Sequence, residues 1–172
     1  HGQEIGVLDN KEVKHPSLKY FAPPDRNQLK EKKIEFVWYG YFHNWIPQEN
    51  FYYASKNYNF DVNPLGRSEG TYNKYASLDD ATDPLHYYLS YIKFGIGRAT
   101  SDAAHEIRDG HITREEGVQL VEKFDHEIPS NSMQTTLDYL NISEENLNQI
   151  TDAFRDRNNN LWRKTNEDWE LK

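Results

Sequence analysis

Cysteine is absent from this 172-residue sequence, so the chain has no disulfide, no thiolate metal site and no thiol nucleophile. Positive charge is also in deficit, because the net charge is −8. That balance disfavours nucleic acids and anionic membranes, which are bound by clustered Lys and Arg. No apolar run approaches the roughly 18 residues of a membrane span. We therefore predict no nucleic-acid partner, no membrane span and a cytoplasmic location.

Aromatic residues are what the sequence has in quantity, at 14% of the chain. They supply large apolar surfaces that a disordered chain lacks, so we expect a folded protein of single-domain size. The only methionine is Met133 and the chain opens at His1. We therefore expect the sequence to be a piece of a longer protein.

The pattern along the chain predicts a mainly helical domain. Residues 1–33 contain a Pro-Pro pair and many charges, which predicts an irregular connector. The domain is predicted to span 34–172, with one or two short strands at its entry, where Ile34 to Phe42 is rich in β-branched and aromatic residues. Helices are predicted over 48–58, 84–94, 101–108, from Thr113 to before Pro129, and from Ser143 onwards.

The segment from Gly95 to Arg108 is the most informative. It places Arg98 directly after Gly95-Ile96-Gly97 and just before a helix, whose first turn offers free backbone N–H groups to a phosphate or carboxylate. The plainer interpretation is an ordinary turn with a salt-bridged Arg98 and an exposed His105. His105 and Glu106 are candidates for general base and acid, and Asp102 shares their helix face. No metal site is predicted, because a second histidine at helical spacing is missing.

Two other regions are ambiguous from the pattern alone. The loop from Arg67 to Tyr72 is rich in side chains that recognise sugar hydroxyls or phosphates, but it also fits a capped surface turn. The aromatic runs VWYGYFHNW and HYYLSYIKF are more often core than stacking platforms. The apolar positions of the two capped helices are expected to face inward.

One run of the sequence is similar to a known family. Residues 91–125, YIKFGIGRATSDAAHEIRDGHITREEGVQLVEKFD, resemble the signature region of the N-acetyl sugar amidotransferases of the PP-loop ATP-pyrophosphatase superfamily. Three further pieces agree with that family: YGYFHNW at 39–45, EGTYNKYASLDD at 69–80 and LDYLNISEENLNQITDAFRD at 137–156. The resemblance covers residues from about Leu18 to Lys172.

The resemblance implies an activity in lipopolysaccharide O-antigen or nonulosonate biosynthesis. The full enzyme is expected to adenylylate a sugar acetamido oxygen with ATP and Mg²⁺, and then to let ammonia displace AMP and leave an acetamidino group. The partners implied are an activated N-acetyl sugar and glutaminase or ammonia-channelling subunits, and a homo-oligomer is compatible with the sequence.

The family's SGGKDS-type phosphate loop does not occur in this sequence. The resemblance therefore implies the C-terminal helical part of an α/β PP-loop enzyme, with the ATP site mostly in a missing N-terminal domain. His105 and Glu106 are the catalytic candidates. The candidates for binding substrate or phosphate are Arg98, Thr100, Ser101, Asp102, Arg108, Glu69, Thr71 and Tyr72.

Two alternatives remain beside the amidotransferase domain. The acidic helices of 113–157 could form a docking module for the ammonia-supplying partner or a second protomer. The chain could also belong to a PP-loop enzyme that modifies tRNA or a nucleotide, although its acidic balance counts against tRNA.

Overall fold

The structure is a computed structural model that describes residues 24–166 and 168–172. The chain divides into two compact units, His1–Trp45 and Ile46–Lys172. The predicted mainly helical fold is confirmed, because the described residues form eight helices and one two-stranded antiparallel sheet. The elements are α1 (Arg26–Glu31) and α2 (Tyr39–Phe42) in the first unit, and α3 (Pro47–Tyr58), α4 (Asp83–Phe94), α5 (Arg98–Asp109), α6 (Arg114–Phe124), α7 (Met133–Leu140), α8 (Glu144–Arg157), β1 (Trp162–Lys164) and β2 (Trp169–Leu171) in the second.

The predicted strand at the entry of the domain is wrong. Residues 34–38 have no regular structure and are followed by the short helix α2. β-Branched and aromatic residues favour a strand only when a neighbouring strand pairs with its backbone, and the described residues provide none here. The aromatic side chains of this segment are also not core, since Phe36 is 83% exposed and Tyr41 is 86% exposed.

Helix α1 lies in the region predicted to be an irregular connector. It begins after Asp25, whose carboxylate accepts a hydrogen bond from the Asn27 amide at 2.8 Å. This is a local N-cap, and Pro24 precedes it. The rest of the predicted connector, residues 1–23, lies outside the described residues.

The helices of the second unit follow their predicted start signals. Pro47 opens α3, and the capping box of α6 pairs Thr113 with Glu116 in both directions. Ser143 caps α8 in the same way with Asn146. Helix α5 begins at Arg98, three residues before its predicted start at Ser101.

The core of the second unit lies between α4, α7 and α8. Leu85, Leu137 and Leu147 are each less than 5% exposed, and partly buried apolar residues surround them. Helix α7, which supplies Leu137, was not predicted. The prediction that the apolar positions of α6 and α8 face inward is only partly right. Phe124 and Leu147 are buried, but Val118, Ile150 and Phe154 are exposed.

The C-terminal hairpin closes the second unit. Strands β1 and β2 pair with Trp162 opposite Leu171. Trp162 is 3% exposed, and its indole N–H donates to the Ile92 carbonyl at 2.8 Å. The Trp169 indole donates to Asp152 at 3.0 Å. The predicted anchoring of the tail by its two tryptophans is confirmed. No helix in the described part of the chain is both long and apolar enough to span a membrane.

Candidate functional site

Asp102 joins the loop between α3 and α4, residues 59–82, to helix α5. Its carboxylate accepts hydrogen bonds from the Thr71 hydroxyl at 2.5 Å and from the Asn73 side-chain Nδ2 at 3.0 Å. The Arg98 guanidinium, one helical turn away, donates to the other carboxylate oxygen at 2.9 Å. Thr71 is completely buried and Asp102 is 9% exposed. A buried carboxylate that is bonded on both oxygens fixes the loop on the helix.

The backbone donors at the start of α5 are occupied by a residue of the same chain. Asp125, which follows α6, accepts from the amides of Gly97 and Thr100, both at 2.9 Å, and from the Thr100 hydroxyl. Asp125 is 3% exposed. The helix N-terminus predicted to attract a phosphate or carboxylate therefore holds an internal carboxylate. The plainer interpretation of Arg98 also holds, since Asp102 is its salt-bridge partner.

Gly97 is required by the approach of Asp125. A Cβ atom at this position would lie 2.7 Å from the Asp125 side-chain oxygen and 3.0 Å from its backbone oxygen. Both distances are shorter than van der Waals contact, and the backbone oxygen has no freedom to swing away. The glycine therefore lets α5 receive its cap from the end of α6.

A second acidic residue beyond α6 holds the loop from its other side. Glu127 forms a two-pronged ion pair with Arg67, with distances of 2.6 and 2.7 Å, and accepts from the Gly70 amide at 3.0 Å. Arg67 also donates to the Thr71 carbonyl at 3.1 Å. Burial alone would raise the pKa of Glu127, but the Arg67 and Gly70 hydrogen bonds lower it below its usual value.

Four of the predicted site residues lie outside the hydrogen-bonded cluster of Asp102 and Asp125. Glu69 accepts from the Ser130 hydroxyl at 3.2 Å and the Asn131 amide at 2.9 Å. Ser101 is exposed on α5. His105 and Arg108 contact each other at 2.5 Å on the outer part of that helix.

The remaining two predicted residues, Tyr72 and Glu106, meet in a cleft. The Tyr72 hydroxyl donates to a Glu106 carboxylate oxygen at 3.2 Å. Burial and the neighbouring Glu106 raise the pKa of Tyr72 well above its usual value, so the phenol stays protonated. The cleft has a volume of about 400 Å³, within the range of small-molecule sites. Its lining residues are Gln48, Glu49, Tyr52, Tyr72, Glu106 and His111.

A smaller cavity of about 160 Å³ continues from the cleft along the loop. It shares Tyr52, Tyr72 and Glu106 with the cleft and extends to Lys74 and Tyr75. The Tyr75 ring stacks on Phe51 of α3 with a centroid distance of 4.7 Å. Burial, together with nearby carboxylates, raises the pKa of Tyr75 to about 12. The two cavities form one groove with aromatic walls between α3, the loop and α5.

The sequence therefore indicated only Tyr72 and Glu106 among the residues that line the cleft. The residues of α3 that face them were not candidates, because Gln48, Glu49 and Tyr52 are distant from Glu106 in the sequence. The only local signal was the spacing of Gln48 and Tyr52, which puts both on one face of a helix. The described residues bring together no group of three or more side chains suited to hold a metal ion.

These features define a small helical domain in which a docked polar loop forms one wall of a groove. Comparison with family models places residues 69–172, more than half of the chain, in the C-terminal domain of WbpG-like LPS biosynthesis proteins. The chain belongs to this family, and the resemblance noted in the sequence is confirmed at that level. A comparison with curated proteins gave no match.

Proposed function

We propose that this chain is the substrate-contacting domain of an ATP-dependent N-acetyl sugar amidotransferase. Membership of the LPS biosynthesis family supplies the pathway, and the sugar chemistry is our inference. The observation that carries it is the groove in which the Tyr72 hydroxyl and the Glu106 carboxylate meet. Hydroxyl, carboxylate and amide groups between aromatic walls are the groups that recognise a hydroxylated ring.

The proposed reaction replaces the acetamido oxygen of a sugar by nitrogen. The acetamido oxygen attacks the α-phosphorus of ATP, and pyrophosphate leaves. Ammonia then adds to the activated amide carbon, AMP departs with the former acetamido oxygen, and an acetamidino group remains. Ammonia loses a proton during this step, and a carboxylate beside the carbon is a suitable acceptor.

Glu106 is the proposed acceptor of that proton, and Tyr72 orients its carboxylate through their hydrogen bond. Tyr72 remains a neutral donor because of its raised pKa. His105 contacts Arg108 and lines neither cavity, so we assign it no proton transfer.

The segment in which a phosphate site was expected has its donors occupied by residues of the chain itself. The N-terminus of α5 is capped by Asp125, and Arg98 is paired with Asp102. ATP and Mg²⁺ remain part of the proposed reaction of the complete enzyme, and the resemblance implies that their site lies mostly in the N-terminal domain. A reaction that consumes ATP fits the expected cytoplasmic location.

The proposed function is tested by an AMP-release assay on the complete gene product. Ammonia, ATP and a panel of nucleotide-linked N-acetyl sugars are supplied, and AMP and the sugar mass are measured. We expect AMP release coupled to exchange of one sugar oxygen for NH. Glu106→Gln is expected to lower kcat about 100-fold or more, as loss of a general base does.

The matched control is Glu145→Gln, an exposed carboxylate in the first turn of α8, which should keep kcat within about twofold of the parent. Absence of AMP release with every sugar, together with AMP release in the presence of tRNA, would contradict the proposal and favour the tRNA-modifying alternative.

A docking role is a second candidate. Val118 on α6 and Ile150 and Phe154 on α8 are 41–45% exposed. Exposed apolar side chains on acidic helices suit contact with another protein. Binding of a purified glutaminase to the gene product, weakened by Ile150→Asp, would support this role, and unchanged affinity would contradict it.

A further inference from the structure

The residues on either side of Tyr72 are bonded to one carboxylate. The Thr71 hydroxyl donates to Asp102 at 2.5 Å, and the Asn73 side-chain Nδ2 donates to the same Asp102 oxygen at 3.0 Å. The Thr71 hydroxyl also accepts from the Asn73 backbone amide at 3.1 Å. Thr71, Asn73 and Asp102 are each at most 9% exposed. The chain is therefore fixed to α5 immediately before and immediately after Tyr72.

The carboxylate that binds both neighbours lies one helical turn before Glu106. Asp102 and Glu106 are four positions apart on α5, so their side chains share one face of the helix. The second Asp102 oxygen accepts from the Arg98 guanidinium at 2.9 Å, which fixes the orientation of the carboxylate. One helix thus carries both Glu106 and the residue that sets the place of the Tyr72 backbone.

The hydrogen bond between Tyr72 and Glu106 is too long to fix the phenol by itself. Its length of 3.2 Å exceeds the roughly 2.5–3.0 Å that is usual between two oxygens. Both side chains are half-buried and line the open cleft. The position of the phenol therefore depends on the backbone around it, which Asp102 holds.

We propose that Asp102 is a positioning residue, which holds the Tyr72 hydroxyl against Glu106 and contacts no substrate. Asp102 lines neither cavity, and both of its oxygens are engaged by the chain itself. Thr71 acts with it as the anchor next to Tyr72. The effect on catalysis rests on the proposed function, whereas the effect on the geometry of Tyr72 does not.

The first test follows Tyr72 by NMR in the 172-residue chain with ¹³C-labelled tyrosine. The Cζ signal of Tyr72 is assigned by its loss in Tyr72→Phe, and it reports on the hydrogen bond of the hydroxyl. Glu106→Gln should shift this signal in the parent. In Asp102→Asn the shift caused by Glu106→Gln should fall to half or less, because the two groups are no longer held together. Comparing these two shifts removes the direct effect of the Asp102 charge on Tyr72.

The second test measures AMP release by the complete gene product. Asp102→Asn should lower kcat about tenfold or more with KM within about twofold of the parent, because the groups that act in the reaction are misplaced. In Tyr72→Phe the same substitution should lower kcat by less than about twofold, since no hydroxyl is left to position. A purely structural role would reduce the amount of active enzyme equally in both backgrounds.

A matched pair of variants repeats both tests with the Asp102 charge intact. Thr71→Val removes the hydroxyl donor and should behave as Asp102→Asn does, whereas Thr71→Ser keeps a donor and should rescue both readouts. Asp138→Asn on α7 is the exposed control and should change neither. Circular dichroism checks that each variant is folded.

Two results would each overturn the inference. One is a Tyr72 signal that responds to Glu106→Gln as strongly in Asp102→Asn and Thr71→Val as in the parent. The other is an equal loss of kcat with and without the Tyr72 hydroxyl. A parent without AMP release would contradict the proposed function alone, and the NMR comparison would then still decide whether Asp102 positions Tyr72.

Discussion

Removing the carboxylate of Asp125 is expected to destabilise the protein strongly, although this residue lies outside the groove. Asp125 is 3% exposed and accepts three hydrogen bonds at the N-terminus of α5, from two amides and one hydroxyl. Asp125→Ala leaves the donors of Gly97 and Thr100 without their acceptor.

The size of the effect follows from these contacts. Hydrogen bonds to a charged group contribute about 1.5–3 kcal/mol each, and contributions that share one partner are not additive. Loss of an N-terminal cap alone costs about 1 kcal/mol. We therefore expect Asp125→Ala to lower the free energy of unfolding by about 3–4 kcal/mol, and the near-isosteric Asp125→Asn to lower it by about 1–2 kcal/mol.

Urea unfolding followed by circular dichroism measures both changes. Asp138→Ala, an exposed carboxylate on α7, is the control and should stay within about 0.5 kcal/mol of the parent. Hydrogen exchange of the Gly97 and Thr100 amides should accelerate in Asp125→Ala. A loss below about 1 kcal/mol with unchanged exchange would refute the capping argument.

Three further changes test the packing around the loop. Gly97→Ala places a Cβ 3.0 Å from the Asp125 backbone oxygen, so thermal unfolding should show a loss of about 2 kcal/mol or more, and an unchanged Tm would contradict the close approach. Thr71→Val leaves buried Asp102 without its hydroxyl donor and should cost about 1–3 kcal/mol in urea unfolding, whereas a neutral effect would mean that this bond adds nothing. The lowered pKa of Glu127 means that its contribution to stability is complete above about pH 4.3, the unfolded value, and is lost as pH falls through the folded pKa. Glu127→Gln should therefore flatten the acid limb of a stability-pH profile, and an unaltered profile would contradict this.

The local features of the fold were predictable because neighbouring residues determine them. The capping box of Thr113 and Glu116 and the proline at the start of α3 involve positions within one turn. The strand predicted at 34–42 failed because its side-chain pattern required a pairing partner that the sequence does not reveal. Helix α7 was overlooked because it is only 8 residues long and its N-cap residue, Ser132, makes no side-chain capping hydrogen bond.

The site was harder to predict because its contacts are distant in sequence. A salt bridge of Arg98 was foreseen as the plainer alternative, and its partner in the structure is Asp102, one helical turn away. The cap on Thr100 comes from a residue 25 positions later, and the Arg67 ion pair joins residues 60 positions apart. The backbone donors at a helix N-terminus can thus look free in the sequence and still be capped by a residue that is distant along the chain.

The most direct test of the proposed function uses isotopically labelled ammonia. The complete gene product that contains this chain is incubated with ATP and an activated N-acetyl sugar, and the sugar is analysed by mass spectrometry and NMR. The account predicts that the label appears at the former acetamido carbon, in amounts equal to the AMP formed, and that Glu106→Gln suppresses both. ATP-dependent modification of the sugar without incorporation of the label would contradict the account.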